Sequence, residues 1–272
     1  MLAQSPVPEG AKPELIADGF LFVEGPVWKD NFGLLFSDLT GNIAYRWTKE
    51  DSITIFLNPS YNSNGLTYDR TGKLILAQTG LRRVVRLESN NTQTVLADNY
   101  KGKKLNSPND LAVKSDGSVF FTDPPFNIPD GEKKELSFAG IYRISLTGEL
   151  KLLDSTLELP NGICFSKDET KLYVNNSQAR IIYVWDVLND STIANKREFA
   201  RIVPEGYADG MKIDESGNLF CTGPGGVWIF SPEGKLLDKI SLPQNPTNCN
   251  WGDADRKTLY ITAGNSVYRI KL

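Results

Sequence analysis

Six residues with a side-chain oxygen recur along the 272-residue chain at equivalent points of a repeating pattern: Glu24, Asn64, Asn109, Asn161, Asp209 and Asn248. Any one of the Asn-Gly or Asp-Gly pairs among them reads as a turn, because Asn, Asp and Gly tolerate left-handed backbone. Glu24 has no such turn preference, yet it stands in the same register. Six such oxygens drawn together in a low-dielectric setting, two of them carboxylates, repel one another unless a cation balances them, and a divalent ion carries the matching charge. The chain has no histidine, which removes the Ser-His-Asp triad, the commonest general base and every His-ligated zinc site. Its three cysteines, Cys164, Cys221 and Cys249, are widely separated and odd in number, so they read as buried thiols rather than a zinc site or a full disulfide framework. Hard oxygen donors favour calcium, then magnesium or manganese, over zinc.

What must position these residues is a repeat. Each copy opens on the oxygen-bearing residue and continues as an apolar strand, a polar turn and a second apolar strand, as in Glu24 through Val27-Trp28 to Leu34-Leu35-Phe36-Ser37-Asp38. Successive copies start 40, 45, 52, 48 and 39 residues apart, a period typical of radial or stacked repeats with loop insertions on a constant core. A third run with period-two alternation follows every pair, for example Ile43-Ala44-Tyr45-Arg46-Trp47 and Val267-Tyr268-Arg269-Ile270, and marks a strand with one packed face. A fourth strand follows in five copies, from Ile53-Thr54-Ile55-Phe56 to Leu236-Leu237-Asp238-Lys239-Ile240, but the sixth copy ends at Leu272 without one. A surplus strand, Pro13 to Asp18, precedes the first copy. The pattern predicts an all-β, six-bladed β-propeller with four antiparallel strands per blade, its ring closed by the N-terminal strand so that no edge stays open. Residues 1–272 form one domain in this reading, with 1–12 as an N-terminal extension. The first strand of each blade lines the central channel, so the six oxygen-bearing residues face the axis near one mouth.

Composition narrows the partners. A net charge of -3 with scattered Lys and Arg gives no basic footprint for nucleic acid, and the apolar runs are too short to span a bilayer as helices. A small molecule is the expected partner. The opening Met1-Leu2-Ala3-Gln4-Ser5-Pro6 has the look of a start codon joined to a processed mature end, which leaves cytoplasm and periplasm both open; oligomeric state is not legible.

Glu24-Gly25-Pro26-Val27-Trp28, Leu105-Asn106-Ser107-Pro108-Asn109-Asp110-Leu111, Phe121-Thr122-Asp123-Pro124-Pro125, Leu159-Pro160-Asn161-Gly162 and Asp209-Gly210-Met211 together resemble the signature segments of the gluconolactonase, senescence-marker-protein and luciferin-regenerating-enzyme family, over nearly the whole chain. The resemblance implies a metal-dependent lactonase in which Glu24, Asn161 and Asp209 bind one divalent ion. Asn109 matches a residue used for metal or substrate, and the similar fold of diisopropyl fluorophosphatase implies it as a fourth ligand. Bacterial members often carry Cys-Glu-His-Gly where this chain has Ala77-Gln78-Thr79-Gly80, so Thr79 replaces a histidine and bears on substrate preference. Asn64, Asn106, Asn109 and Thr79 are the expected substrate contacts, and Pro124 to Gly140 is the expected lid. In the expected mechanism the ion polarises an ester carbonyl while Asp209 takes a proton from the attacking water or attacks directly. Asp110, Asp123 and Asn106 are expected to orient ligands or cap loops from behind. Two other readings use the same site: a phosphotriesterase or arylesterase, and a non-catalytic ligand-binding propeller whose ion only ties the blades.

Overall fold

The computed structural model describes residues 5–50 and 52–272, so the reading of the first four residues lies outside the described part. Among the described residues, six four-stranded antiparallel sheets account for nearly all the regular structure, alongside a two-stranded hairpin of Asn99–Tyr100 and Lys103–Lys104 and a 3-10 turn at Thr79–Leu81. The blades begin, in order, at the strands Val23–Lys29, Ser63–Tyr68, Leu111–Val113, Pro160–Phe165, Met211–Ile213 and Pro246–Gly252. Each of these first strands touches those of the blades on either side, and the sixth touches the first, which closes the cycle around an axis. The predicted six-bladed propeller is the observed fold.

The sixth blade takes its outermost strand from the N-terminus: Glu14–Ala17 pairs antiparallel with Ser266–Lys271. A carboxylate–guanidinium pair, Glu14 with Arg269 at 2.8 Å, pins that join at the surface, but the apolar seam beneath it matters more. Ala17, Val23, Trp28, Leu34, Phe36, Trp47, Tyr260 and Val267 form one buried cluster that spans the sixth and first blades, with Trp28 and Tyr260 stacked at 5.1 Å. Full burial of a side chain of this size is worth ~1.5–3 kcal/mol, whereas an exposed ion pair contributes ~0–1 kcal/mol. The same arrangement recurs around the ring, as where Phe120 and Ile141 of the third blade meet Ile163, Leu172 and Trp185 of the fourth. Second strands are buried along nearly their whole length for this reason, since each blade is sandwiched between two others.

Glu24, Asn64, Asn161 and Asn248 lie on first strands that are irregular where they sit, while Asn109 and Asp209 lie two residues before theirs. Register shifts fall between Glu24 and Val27, Ser63 and Leu66, Pro160 and Ile163, and Pro246 and Asn248. A bulge of this kind bends a strand and re-aims a side chain. The glycines that follow the oxygen-bearing residues belong to this irregularity rather than to turns. A Cβ on Gly162 would lie 2.2 Å from the carbonyl oxygen of Asp209, and one on Gly210 would lie 2.0 Å from Asn248 Oδ1. Neighbouring first strands approach too closely at the axis for any side chain at those positions.

Candidate functional site at the propeller axis

Second-strand residues fix the axial positions from the side. The Thr122 hydroxyl donates to the carbonyl of Asn161 at 2.7 Å, the Asn175 amide donates to the carbonyl of Asp209, and the Thr222 hydroxyl donates to that of Thr247 at 2.9 Å. Thr247 in turn donates to the carbonyl of Val23 at 2.7 Å. The third and fourth blades thus hold the next blade's axial residue, and the fifth and sixth hold the residue just before it, through buried hydrogen bonds of a kind worth ~0.5–1.5 kcal/mol net. These clamps were not anticipated from the sequence, although one signal was present: a Thr or Asn near the end of the second strand in three consecutive copies.

Five of the six axial residues, Glu24, Asn64, Asn109, Asn161 and Asp209, line one open cavity of about 440 Å³. Asn248 stands behind them, and its amide hydrogen-bonds the Glu24 carboxylate, which also accepts the Gly25 N–H at 2.9 Å. Asn161 hydrogen-bonds Asp209 through its side chain, while its own Oδ1, like that of Asn64, is buried without a partner. Buried oxygens without partners are rare and costly, and two of them on the wall that carries Glu24 and Asp209 mark a place built for a group that donates or is positive. Burial, with the Asp110 charge adding to it, pushes Glu24 up to about 7, ahead of the lowering by its hydrogen bonds and by Lys212. Burial also holds Asp209 well above the ordinary carboxylate range, and the charges of Glu24 and Asp110 push the same way. Among the described residues no three acidic or thiol side chains cluster as a metal site, so a cation here would depend on amide oxygens as well as carboxylates. That donor set suits a hard ion such as calcium.

The rest of the wall comes from the mouth. Phe22, Leu39, Thr40, Phe126, Asn127, Ser177 and Tyr207 complete the cavity. Phe126 and Asn127 belong to the Pro124 to Gly140 segment, which therefore reaches the site as expected of a lid. Phe22, Leu39, Thr40 and Tyr207 were not anticipated; strand alternation offered a signal for Phe22, two residues before Glu24 on the same side. Two expected substrate contacts sit behind the wall instead of in it. Thr79 is buried and donates its hydroxyl to the carbonyl of Pro108 at 2.7 Å, next to Asn109. Asn106 is buried and donates its amide to the carbonyls of Asp123 and Phe138 at 3.0 and 2.9 Å. Asp123 accepts the Asn106 N–H at 2.8 Å, the supporting geometry expected of it. The wall carries no lysine or arginine among the described residues.

A profile described as the SMP-30/Gluconolactonase/LRE-like region matches residues 22–265. Among curated proteins, a gluconolactonase of Zymomonas mobilis is 39% identical over 287 aligned positions, covering 95% of this chain and 80% of that protein. Diisopropyl-fluorophosphatase of Loligo vulgaris is 24% identical, with coverage of 91% and 88%. Among solved structures, a gluconolactonase from Xanthomonas campestris superposes with a TM-score of 0.91 at 31% identity, covering 97% of this chain and 90% of that one.

Proposed function

This chain belongs to the SMP-30/gluconolactonase/LRE-like family, and on that premise we propose that it is a lactonase of the gluconolactonase type that works with a bound divalent cation, hydrolysing a sugar lactone to its open hydroxy acid. The observation that carries this reading is the convergence of Glu24, Asn64, Asn109, Asn161 and Asp209 on one cavity, with the amide oxygens of Asn64 and Asn161 unpartnered. Glu24, Asn161 and Asp209, with Asn109, would hold the cation, calcium first among the candidates. Such an ion, when bound, supplies Lewis acidity toward an ester carbonyl and lowers the pKa of water.

The chain's own residues supply the rest. Asp209 takes the proton of the water that adds to the carbonyl carbon and returns it to the ring oxygen as the C–O bond breaks, so that lactone and water become one hydroxy acid. Asn161, bonded to Asp209, keeps that carboxylate aimed into the cavity. Asn64, Asn109, Thr40 and Ser177 present polar atoms to substrate hydroxyls. Phe22, Leu39 and Phe126 offer an apolar flank to the C–H faces of a ring and exclude water from it.

The test is turnover of a panel of sugar lactones, aryl esters and organophosphate triesters by chelator-stripped protein resupplied with calcium, manganese or zinc. The reading expects lactones to be hydrolysed fastest, hydrolysis to vanish with chelator, and Asp209→Asn to abolish turnover with an unchanged circular dichroism spectrum. Full activity in Asp209→Asn removes that residue from the mechanism; chelation that lowers thermal stability in a protein inert toward every lactone would leave only a structural ion.

A further inference from the structure

The second strand of the first blade, Gly33–Asp38, ends on a buried acid that the proposed chemistry leaves unused. The Asp38 carboxylate accepts three backbone N–H groups from two separate stretches of chain: Leu21 at 2.9 Å on Oδ2, and Phe22 at 3.0 Å and Gly41 at 2.9 Å on Oδ1. The Leu39 N–H donates to the carbonyl of Phe22 at 2.8 Å and completes the unit. Hydrogen bonds to a carboxylate are among the stronger ones a protein makes, and these fasten the stretch that enters the first strand to the turn that leaves the second. Phe22, Leu39 and Thr40 of this unit line the axial cavity. Thr40 is exposed, and its hydroxyl bonds none of the described residues, so it is available to a ligand.

The third blade repeats the device. Asp123 stands 14 residues after Asn109, as Asp38 stands 14 after Glu24. It accepts the N–H groups of Asn106 and Ser107, which precede Asn109 by the same steps as Leu21 and Phe22 precede Glu24. The other copies have Gln78, Asn175, Gly223 and Thr262 at that position. Both blades with the acid send the chain from it into the cavity wall, as Leu39 and Thr40 in the first and as Phe126 and Asn127 in the third. The metal side of the first blade is held separately: the Val23 N–H donates to the carbonyl of Gly264 at 2.9 Å, and the Glu24 carboxylate is held by Gly25 and Asn248. The turn itself keeps an outer tie, since the Asn62 amide donates to the carbonyl of Leu39 at 2.8 Å. Loss of the Asp38 carboxylate therefore unfastens Phe22 and Thr40 from one another without releasing Glu24. We propose that Asp38 is a positioning residue for substrate: it presents Thr40 to ring hydroxyls beside the apolar flank of Phe22 and Leu39, and so sets a preference for hydroxylated lactones over unsubstituted ones. This rests on the reading of the axial cavity as the lactone site.

The experiment is titration of two lactams, ring amides that keep the carbonyl but resist hydrolysis, into calcium-supplied protein, followed by NMR shifts: gluconolactam, which carries the hydroxyls, and δ-valerolactam, which lacks them. The native chain is compared with Asp38→Ala, Asp38→Asn and Thr40→Val, and calcium affinity is measured on each by calorimetry. The proposal expects Asp38→Ala to bind gluconolactam roughly tenfold more weakly, with the affinities for δ-valerolactam and calcium changed by less than about threefold. Asp38→Asn, which keeps one acceptor oxygen, falls between, and Thr40→Val shows the same selective loss. Equal gluconolactam affinity in native and Asp38→Ala protein overturns the proposal, as does a loss shared equally by both lactams and calcium, which is the mark of a merely structural role. A native chain that binds no gluconolactam overturns it too. The catalytic reading fails separately: selective weakening of gluconolactam binding in a protein that hydrolyses no lactone sinks lactonase activity and supports the role of Asp38. Should Asp38→Ala be unfolded by circular dichroism, Asp38→Asn and Thr40→Val decide, and native-like gluconolactam affinity in either overturns the proposal.

Discussion

Gly162 has no chemistry of its own, yet the placement of Asp209 depends on it. The Cβ of an alanine there would meet the Asp209 carbonyl oxygen at 2.2 Å, and because that contact is with backbone, the fifth blade's first strand must move. Gly162→Ala should therefore destabilise by ~1–3 kcal/mol, the usual cost of overpacking, and weaken calcium binding more than a distant core substitution of equal cost; urea unfolding and calorimetry on both variants decide it. In sequence such glycines read equally well as turn formers, because periodicity says which residues share a register but not how near two strands come. Asp123 is a second case where burial decides the behaviour. Burial raises it to about 7, against the opposing N–H donors of Asn106 and Ser107 and the charges of Arg82 and Lys134. Unfolded, it titrates near ~3.9. Between those values the folded protein holds a proton that the unfolded chain does not, so this contribution to stability is complete below about pH 4 and is lost as pH rises through about 7. The advantage of the native chain over Asp123→Asn should shrink by roughly 4 kcal/mol from pH 4 to 8. Urea midpoints of the two proteins that run parallel across that range would show that Asp123 stays ionised in the fold.

The segment between the second and third strands of the third blade behaves as an element, although it has almost no regular structure. Arg82, fully buried and in left-handed backbone, donates to the carbonyls of Leu105, Asn106 and Lys133 and to Glu132 Oε2 at 2.8 Å. Lys104 reaches the same carboxylate at 2.9 Å, which gives this surface lysine a partner in the protein. Together these bonds fasten the strip that carries Phe126 and Asn127 to the cavity wall. Glu132→Gln keeps the shape and removes the charge, so KM for the hydrolysed lactone should rise roughly 2- to 10-fold, equivalent to ~0.4–1.4 kcal/mol, with kcat nearly unchanged; a fall in kcat at constant KM would place the latch in the chemical step instead. The strands themselves were legible because each blade repeats the same alternation, and so were the axial residues that open each copy. The mouth was less legible. Thr79 and Asn106 lie on loops that return to it, but sequence adjacency to a mouth does not say whether a side chain points into the cavity or, as these do, bonds a carbonyl behind it. The role of Asp38 escaped notice because an acid at the end of an apolar strand reads as a turn residue, and only its bonds to Leu21, Phe22 and Gly41 show what it holds.

Closure of the ring by Glu14–Ala17 and the gathering of oxygens at the axis are two ends of one mechanical problem, since the axial residues come from separate blades and share a wall only while the circle is shut. Cutting the chain before residue 19 would uncover the backbone edge of Ser266–Lys271 and part of the buried seam between the sixth and first blades. Three paired residues at ~1 kcal/mol net per hydrogen bond, together with Ala17, Ile16 and the surface they cover, give an expected loss of at least ~3 kcal/mol. A bound ion should act on the same circle from inside. If its ligands are Glu24, Asn109, Asn161 and Asp209, calcium joins the first, third, fourth and fifth blades and favours the closed ring over any opened form. Binding to the native state alone adds RT ln(1 + [L]/Kd), ~2.7 kcal/mol at a hundredfold excess over Kd. Calcium should therefore raise the melting temperature of the full chain, chelator should reverse the rise, and Asp209→Asn should blunt it. The truncated chain should melt lower and bind calcium more weakly, because part of the binding energy goes to closing the circle. Equal calcium affinity in the two chains, despite a lower melting point for the shorter one, would mean that the axial residues are held by their own strands and not by the ring.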